Sequence, residues 1–83
     1  MKGVIELIGP RVIMIGVRTE NDGFSVLELI GGYSPEIGDI IIGDLECLGG
    51  ETVYNQTQDE SWSVFIQDIH GSKESAWSMV SDQ

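Results

Sequence analysis

Short runs of β-branched and other apolar residues recur along the chain roughly every ten residues, and turn residues separate them, a spacing typical of a small all-β domain. The first two runs cover residues 3–8 and 11–19, with Gly9-Pro10 between them. Asp22-Gly23 follows, and this pair favours a hairpin because glycine accepts the positive φ that such turns need. Three further runs cover residues 24–30, 37–45 and 61–69. The pattern therefore predicts five strands.

Two segments outside these runs are less regular. Residues 52–54 are a β-favouring core followed by side chains that hydrogen-bond their own backbone, which predicts a short edge strand or an ordered loop. Ser72 is a suitable N-cap for a short helix with Ala76, Trp77 and Val80 on one face. A helix this short is marginal in water, so we expect it either to dock through Trp77 or to fray.

Several predicted strands are apolar on both faces, notably residues 12–17, 40–42 and 64–66. A chain of 83 residues cannot cover both sides of every strand by itself. Three explanations are open: the C-terminal helix covers the surplus through Trp77, a second copy covers it across a symmetric interface, or a strongly bent closed barrel buries it. A homodimer is thus one expected assembly.

The sequence is strongly acidic. It has 14 Asp and Glu residues but only 4 Lys and Arg residues, which gives a formal net charge of -10. No Lys or Arg occurs between Thr19 and Ser72. Such a field repels phosphate backbones and attracts basic surfaces, so direct nucleic-acid binding is disfavoured. The acids either keep the protein in solution or form a docking surface. The candidate acidic surface comprises Glu36, Asp39, Asp44, Glu46, Asp59 and Glu60.

Few residues could carry catalysis or hold a metal. The single cysteine, Cys47, cannot form an intrachain disulfide, and its apolar surroundings predict a buried, inert thiol. The single histidine, His70, excludes zinc sites built from several histidines. Asp39 and Asp44 are five residues apart, which places them on opposite faces of a regular strand and argues against a catalytic pair. We therefore expect no enzymatic activity, no metal and no cofactor.

The chain also lacks a pattern that would direct it to a membrane. Its longest apolar run, residues 40–42, is far shorter than the roughly 20 residues that span a bilayer. The start of the sequence leads directly into strand-like residues, without the apolar core of a signal peptide. A cytoplasmic location and no membrane contact are the expectations that follow.

The order of these features resembles the small OB-type barrels, which include S1 and cold-shock domains. The resemblance covers residues 3–69 and is carried by the initial Lys-Gly-Val-Ile, the Asp-Gly hairpin and the phrase Pro-Glu-Ile-Gly-Asp-Ile-Ile-Ile-Gly at 35–43. The sequence is also similar to small uncharacterised bacterial proteins. The resemblance implies a five-stranded OB-like or SH3-like barrel over residues 1–71, with a short helix or flexible tail over 72–83.

Two functions from different classes fit these features. The first is a non-enzymatic module that binds a protein partner, or a second copy of itself, through apolar strand faces with an acidic rim. Its aromatic contacts would come from the exposed members of Tyr33, Tyr54, Trp62 and Trp77. The second is an acidic decoy that imitates nucleic acid and occupies a basic groove. Carboxylates in a row on one face would support the decoy, whereas scattered carboxylates would count against it.

Overall fold

Six antiparallel strands close into a barrel in the computed structural model, which describes residues 1–82. Around the barrel the order is β1-β2-β3-β6-β5-β4, and pairing of β4 with β1 completes the ring. The predicted all-β barrel with a short C-terminal helix is confirmed. No helix in residues 1–82 is long and apolar enough to cross a membrane. The elements are β1 (Lys2–Ile8), β2 (Met14–Thr19), β3 (Phe24–Leu29), β4 (Ile40–Ile42), β5 (Gly49–Asn55), β6 (Glu60–Gly71) and α1 (Lys73–Ser81).

The number and lengths of the strands differ from the prediction. The segment around residues 52–54 is the centre of β5, a seven-residue strand that pairs with β6 along its whole length. The predicted strand over 37–45 is reduced to the three residues of β4, because Asp39 donates its N–H to the Glu36 carbonyl in a turn before the strand. Likewise β2 starts at Met14, since Gly9 donates to the Met14 carbonyl and closes a longer turn.

The barrel interior is filled by alternate residues of the strands. On β6 the side chains of Trp62, Val64 and Ile66 point inward, as the two-residue period of a strand requires. Leu45, from the loop between β4 and β5, is fully buried and closes one end of the barrel. The interior cluster consists of Ile5, Ile15, Val17, Leu27, Leu29, Ile41, Leu45, Val53, Trp62, Val64 and Ile66.

A second apolar cluster lies outside the barrel, where α1 covers the outer face of β2 and β3. Ala76 and Val80 of α1 are fully buried in it, together with Met14, Phe24 and Val26 of the strands. This packing accounts for the apolar residues on both faces of β2 and β3.

The helix docks through different residues from those predicted. Ser72 caps α1 as predicted, and its side chain accepts a hydrogen bond from the Ser75 N–H. Trp77, however, is 48% exposed, so the expectation that α1 docks through it is wrong. Ala76 and Val80 are four residues apart and share one face, whereas Trp77 lies about 100° further round the helix. The predicted tail over 72–83 is thus helical from Lys73 to Ser81, and Gln83 lies outside the described residues.

Candidate binding groove on the β5–β6 face

The outer face of β6 is not covered by the helix and carries an exposed aromatic ring. Because Trp62, Val64 and Ile66 point inward, Phe65 points outward, and it is 43% exposed. Ile30, which directly follows β3, is 52% exposed and donates its backbone N–H to the Ser63 carbonyl beside it at 2.9 Å. Two large apolar side chains therefore share a face that residues 1–82 leave open.

Gly50 makes room beside that ring. The register of β5 and β6 places Gly50 directly opposite Phe65, and the next outward pair is Thr52 and Ser63. Apart from Gly50 and its two chain neighbours, no heavy atom of residues 1–82 lies within 4 Å of the position that a Cβ on Gly50 would occupy. The missing side chain leaves an open groove along the two strands. Its lining comprises Ile30, Gly50, Glu51, Thr52, Ser63, Val64 and Phe65.

Two carboxylates lie close to the groove, one on its own face and one on the opposite face of β5. Glu28 of β3 pairs with Phe65 and accepts a hydrogen bond from the Gln67 amide at 2.7 Å. Glu51 lies between the two outward-facing residues of β5 and contributes to the groove lining, but strand alternation directs its side chain to the opposite face of β5. A basic group in the groove would therefore meet the negative charge of Glu28, and a basic group on the opposite face of β5 would meet that of Glu51.

The basic side chains that form ion pairs lie on the other side of the barrel. Arg18 on β2 donates to Glu6 and lies 3.6 Å from Asp22, and Lys73 on α1 lies 3.7 Å from Glu6. In the ring of six strands, β2 and β5 are three places apart and so lie opposite each other. These two cations are therefore too far from the groove to neutralise the carboxylate of Glu28.

Two of the four aromatic residues proposed from the sequence are structural. Trp62 is 0% exposed, so its assignment as a partner contact is wrong, because strand alternation turns it into the core. Its indole N–H donates to Glu60 at 2.5 Å, and Tyr33 stacks on it with ring centres 5.1 Å apart. The Tyr33 hydroxyl also accepts the Ser63 N–H at 2.9 Å. Tyr33 is thereby held half-buried over one end of the barrel.

The other two aromatic residues are exposed but lie apart. Tyr54 is on the outer face of β5, and its hydroxyl donates to Asp59 at 2.5 Å. This hydrogen bond to a carboxylate raises the pKa of Tyr54, because a phenolate would lose it. Trp77 is on α1, which packs mainly on β2 and β3. The four residues do not form one aromatic surface.

Asp39 was proposed as a surface acid, but it is buried. Its carboxylate accepts hydrogen bonds from the Asn55 amide at 2.8 Å, the Gln58 amide at 2.7 Å and the Glu36 backbone N–H at 3.1 Å. Three donors offset the cost of removing a charge from water. Asp39 therefore ties three loop and strand segments together and is not available to a partner.

The remaining acids fall at opposite ends of β5. Glu36, Asp59 and Glu60 lie with Asp39 at the end where β5 finishes, and Asp44 and Glu46 lie where it begins. Glu46 is an internal anchor. Its side chain is only 16% exposed, and it accepts hydrogen bonds from Thr19 and Asn21 at 3.4 and 3.2 Å. The carboxylates thus do not form a single row.

Cys47 is exposed, so the prediction of a buried thiol is wrong. Leu45 takes the interior position in this loop, and Cys47, two residues later, lies at the surface near Asp44 and Glu51. Potential ligand atoms of these three side chains all lie within 4.8 Å of one another. The negative charge of Asp44 raises the pKa of the Cys47 thiol, and so keeps it protonated. Three exposed side chains alone do not make a metal site.

Sequence reasoning did not select Phe65, Ile30 or Gly50, the residues that define the groove. The sequence nevertheless contains a signal for Phe65. Between Ser61 and Gln67, apolar and polar residues alternate, and Phe65 is the one apolar residue at a position that the alternation reserves for polar residues. The role of Gly50 depends on the register between β5 and β6, and no short motif encodes that register.

No protein-family model, curated protein or solved structure matches this chain. The resemblance to OB-type barrels and to small bacterial proteins stays a prediction. The function of the groove has to be inferred from its own geometry and charge.

Proposed function

We propose that this chain is a non-enzymatic interaction module, and that the β5–β6 groove binds a basic segment of a protein partner that also carries apolar side chains. One observation carries the proposal: Phe65 and Ile30 are exposed beside the open space at Gly50, on a face that α1 does not cover. An aromatic side chain next to an unfilled space on an otherwise polar face is a typical anchor point at protein interfaces.

Charge favours a basic partner. Glu28 lies beside Phe65 on the groove face, Glu51 projects from β5 to the opposite face, and the ion-paired cations Arg18 and Lys73 lie on β2 and α1. Complementary charge accelerates association and selects among partners, while the apolar contacts in the groove supply most of the affinity. Binding should therefore weaken as salt rises, because exposed charges are screened over about 8 Å at physiological ionic strength.

The decoy hypothesis has less support. The candidate acids are divided between the two ends of β5, and Asp39 and Glu46 are held in internal hydrogen bonds. A protein that imitates a nucleic acid needs its carboxylates in rows that a basic groove can follow.

A second copy of the chain is the other candidate for the groove, as the homodimer hypothesis requires. Each copy carries a net charge of -10, and pairing two groove faces would bring the Glu28 carboxylates of both copies into one interface. Like charges across an interface oppose association. Light scattering behind size exclusion distinguishes the two hypotheses: a mass near 9.1 kDa leaves the groove free for a partner, and twice that mass would support the homodimer hypothesis.

A calorimetric titration tests the proposal with a defined probe, a synthetic peptide of alternating lysine and leucine, about eight residues long to match a strand. We expect binding at low salt that weakens at physiological salt. A peptide of alternating glutamate and leucine is the charge control and should not bind. Equal binding of both peptides, or binding by neither, would contradict the proposal.

A further inference from the structure

The barrel is closed by a very short contact between β4 and β5. Only two residue pairs join these strands, Ile41 with Asn55 and Ile42 with Tyr54. By contrast, all seven residues of β5 pair with β6. The first part of β5, from Gly49 to Thr52, is therefore paired on one side only, and Gly43 packs against Val53 where this segment ends.

The hydrogen bonds of the neighbouring strands show which way the backbone groups of this segment point. Ile30 donates to the carbonyl of Ser63, so the backbone groups of Ser63 face β3. Because direction alternates along a strand, Trp62 and Val64 face β5 and bond to Val53 and Glu51.

Gly50 and Thr52, the alternate residues, thus direct their N–H and C=O groups away from β6. A hydrogen bond on the other side of the strand agrees with this assignment. Gln56 donates its N–H to the Ile40 carbonyl, so its backbone groups face β4, and Thr52 and Gly50 have the same direction because they are four and six residues earlier. Within residues 1–82, no backbone partner completes the ladder at Gly50 or Thr52 on that side. Both residues are exposed.

We propose that the partner segment binds as an added strand along this open edge, paired through the backbone groups of Gly50 and Thr52. The inference rests on the proposed function and specifies how the same site holds its partner. An unpaired strand edge is a template for a further strand, with main-chain hydrogen bonds for affinity and alternate side chains for specificity.

The edge and the groove fit together. A strand added to β5 lies two strand spacings, about 10 Å, from β6. A residue directly opposite Gly50 would project its side chain on the same outer face as Phe65. Since Gly50 has no side chain, a long apolar side chain can reach across it to the ring.

Alternation also fixes where the positive charges would lie. The neighbours of that apolar residue project to the opposite face of the extended sheet, the face on which Glu51 lies by the same alternation. Asp44 is close by, since its carboxylate lies within 4.8 Å of a Glu51 oxygen. These acids favour lysine or arginine at the alternate positions. They also oppose pairing of two β5 edges, which would bring both acid pairs together.

Two N-methylated versions of the lysine–leucine peptide test the inference. A leucine opposite Gly50 must direct its own N–H toward β5, while the lysine N–H groups point to the outside. Methylation of the leucine nitrogens should therefore weaken binding at least about tenfold, as expected when several hydrogen bonds are lost. Methylation of the lysine nitrogens, which keeps charge and length unchanged, should leave the affinity close to that of the parent peptide.

Amide exchange measured by NMR on the protein supplies a second readout. With the parent peptide bound, the amides of Gly50 and Thr52 should exchange at least about tenfold more slowly, because each becomes hydrogen-bonded. If both methylated peptides bind like the parent and these amides exchange as in the free protein, while the Phe65 signals shift, strand addition is wrong and the proposed function stands. If no peptide shifts the Phe65 or Ile30 signals, the proposed function fails, and the inference fails with it.

Discussion

Phe65 on β6 and Gly50 on β5 form a directly opposed cross-strand pair, and the glycine leaves one flank of the exposed ring uncovered. On β2 and β3 the corresponding outer face is closed by Ala76 and Val80 of α1. The barrel therefore has one outer face completed by its own helix and one that is not.

Filling the space at Gly50 should weaken binding without harming the fold. Gly50 does not need a positive φ, and a Cβ there meets no atom within 4 Å. We expect Gly50→Val to raise the free energy of unfolding by about 0.5–1 kcal/mol, because glycine in a strand is entropically costly. Binding of the lysine–leucine peptide should fall at least about tenfold, since the branched side chain occupies the groove. Urea unfolding and calorimetry measure the two effects.

Gly49 is the matched control for that substitution. It has a φ of +108°, which a β-branched residue does not adopt without strain. Gly49→Val should lower the free energy of unfolding by about 1–3 kcal/mol. If Gly50→Val binds the peptide as tightly as the natural chain, the groove is not the binding site.

The buried carboxylate of Asp39 should matter for stability. Asp39→Ala removes the shared acceptor of the Asn55 and Gln58 amides and leaves donors in a buried site. We expect a loss of about 1–3 kcal/mol in the free energy of unfolding, the range for unsatisfied buried polar groups. Glu36→Gln, an exposed acid in the same turn, should change it by less than about 0.5 kcal/mol. Similar unfolding midpoints for the two variants would refute the role of Asp39.

The Cys47 thiol should react slowly despite its exposure. Asp44 raises its pKa, so less thiolate is present at neutral pH than for an ordinary thiol, and the thiolate is the reacting form. Asp44→Asn removes that negative charge, lowers the pKa and should speed alkylation at pH 7 several-fold. Reaction with iodoacetamide, followed by mass spectrometry, measures the rate. Glu36→Gln, at the other end of the barrel, should leave the rate unchanged, and a natural-chain rate equal to that of a free cysteine peptide would contradict the account.

Two substitutions in α1 test which side chain docks the helix on the barrel. Val80→Ala leaves a cavity in the cluster outside the barrel and should cost about 1–3 kcal/mol of unfolding free energy. Trp77→Ala removes a larger but half-exposed side chain and should cost less than about 1 kcal/mol. Urea unfolding distinguishes them. The reverse order would show that α1 docks through Trp77 after all.

Hydrophobic patterning was sufficient to predict the all-β barrel and the helix cap at Ser72, because both depend on local sequence. It could not place β4 and β5. The turns at Asp39 and Leu45 shorten one strand through long-range contacts, including the Asn55 side chain on Asp39. Spacing alone could not separate buried from exposed aromatic residues either. Strand alternation, applied from Ser61 to Gln67, separates Trp62 from Phe65.

The positions of the acids were the hardest feature to predict. Asp39 and Glu46 occur in turns, and their side chains are directed by hydrogen bonds from residues far away in the sequence. Net charge gives the sign of the surface but not its distribution. The groove was missed for a similar reason, since a glycine opposite an aromatic residue is visible only when the register of two strands is known.

The central claim is that the face around Phe65 binds a basic partner segment. The most direct measurement compares calorimetric titrations of the lysine–leucine peptide into Phe65→Ala, Trp77→Ala and the natural chain at low salt. Both aromatic side chains are exposed, so neither change should unfold the barrel. We expect Phe65→Ala to weaken binding at least about tenfold, or about 1.4 kcal/mol, and Trp77→Ala to leave it unchanged. Equal binding by Phe65→Ala and the natural chain, or loss of binding only in Trp77→Ala, would contradict the claim.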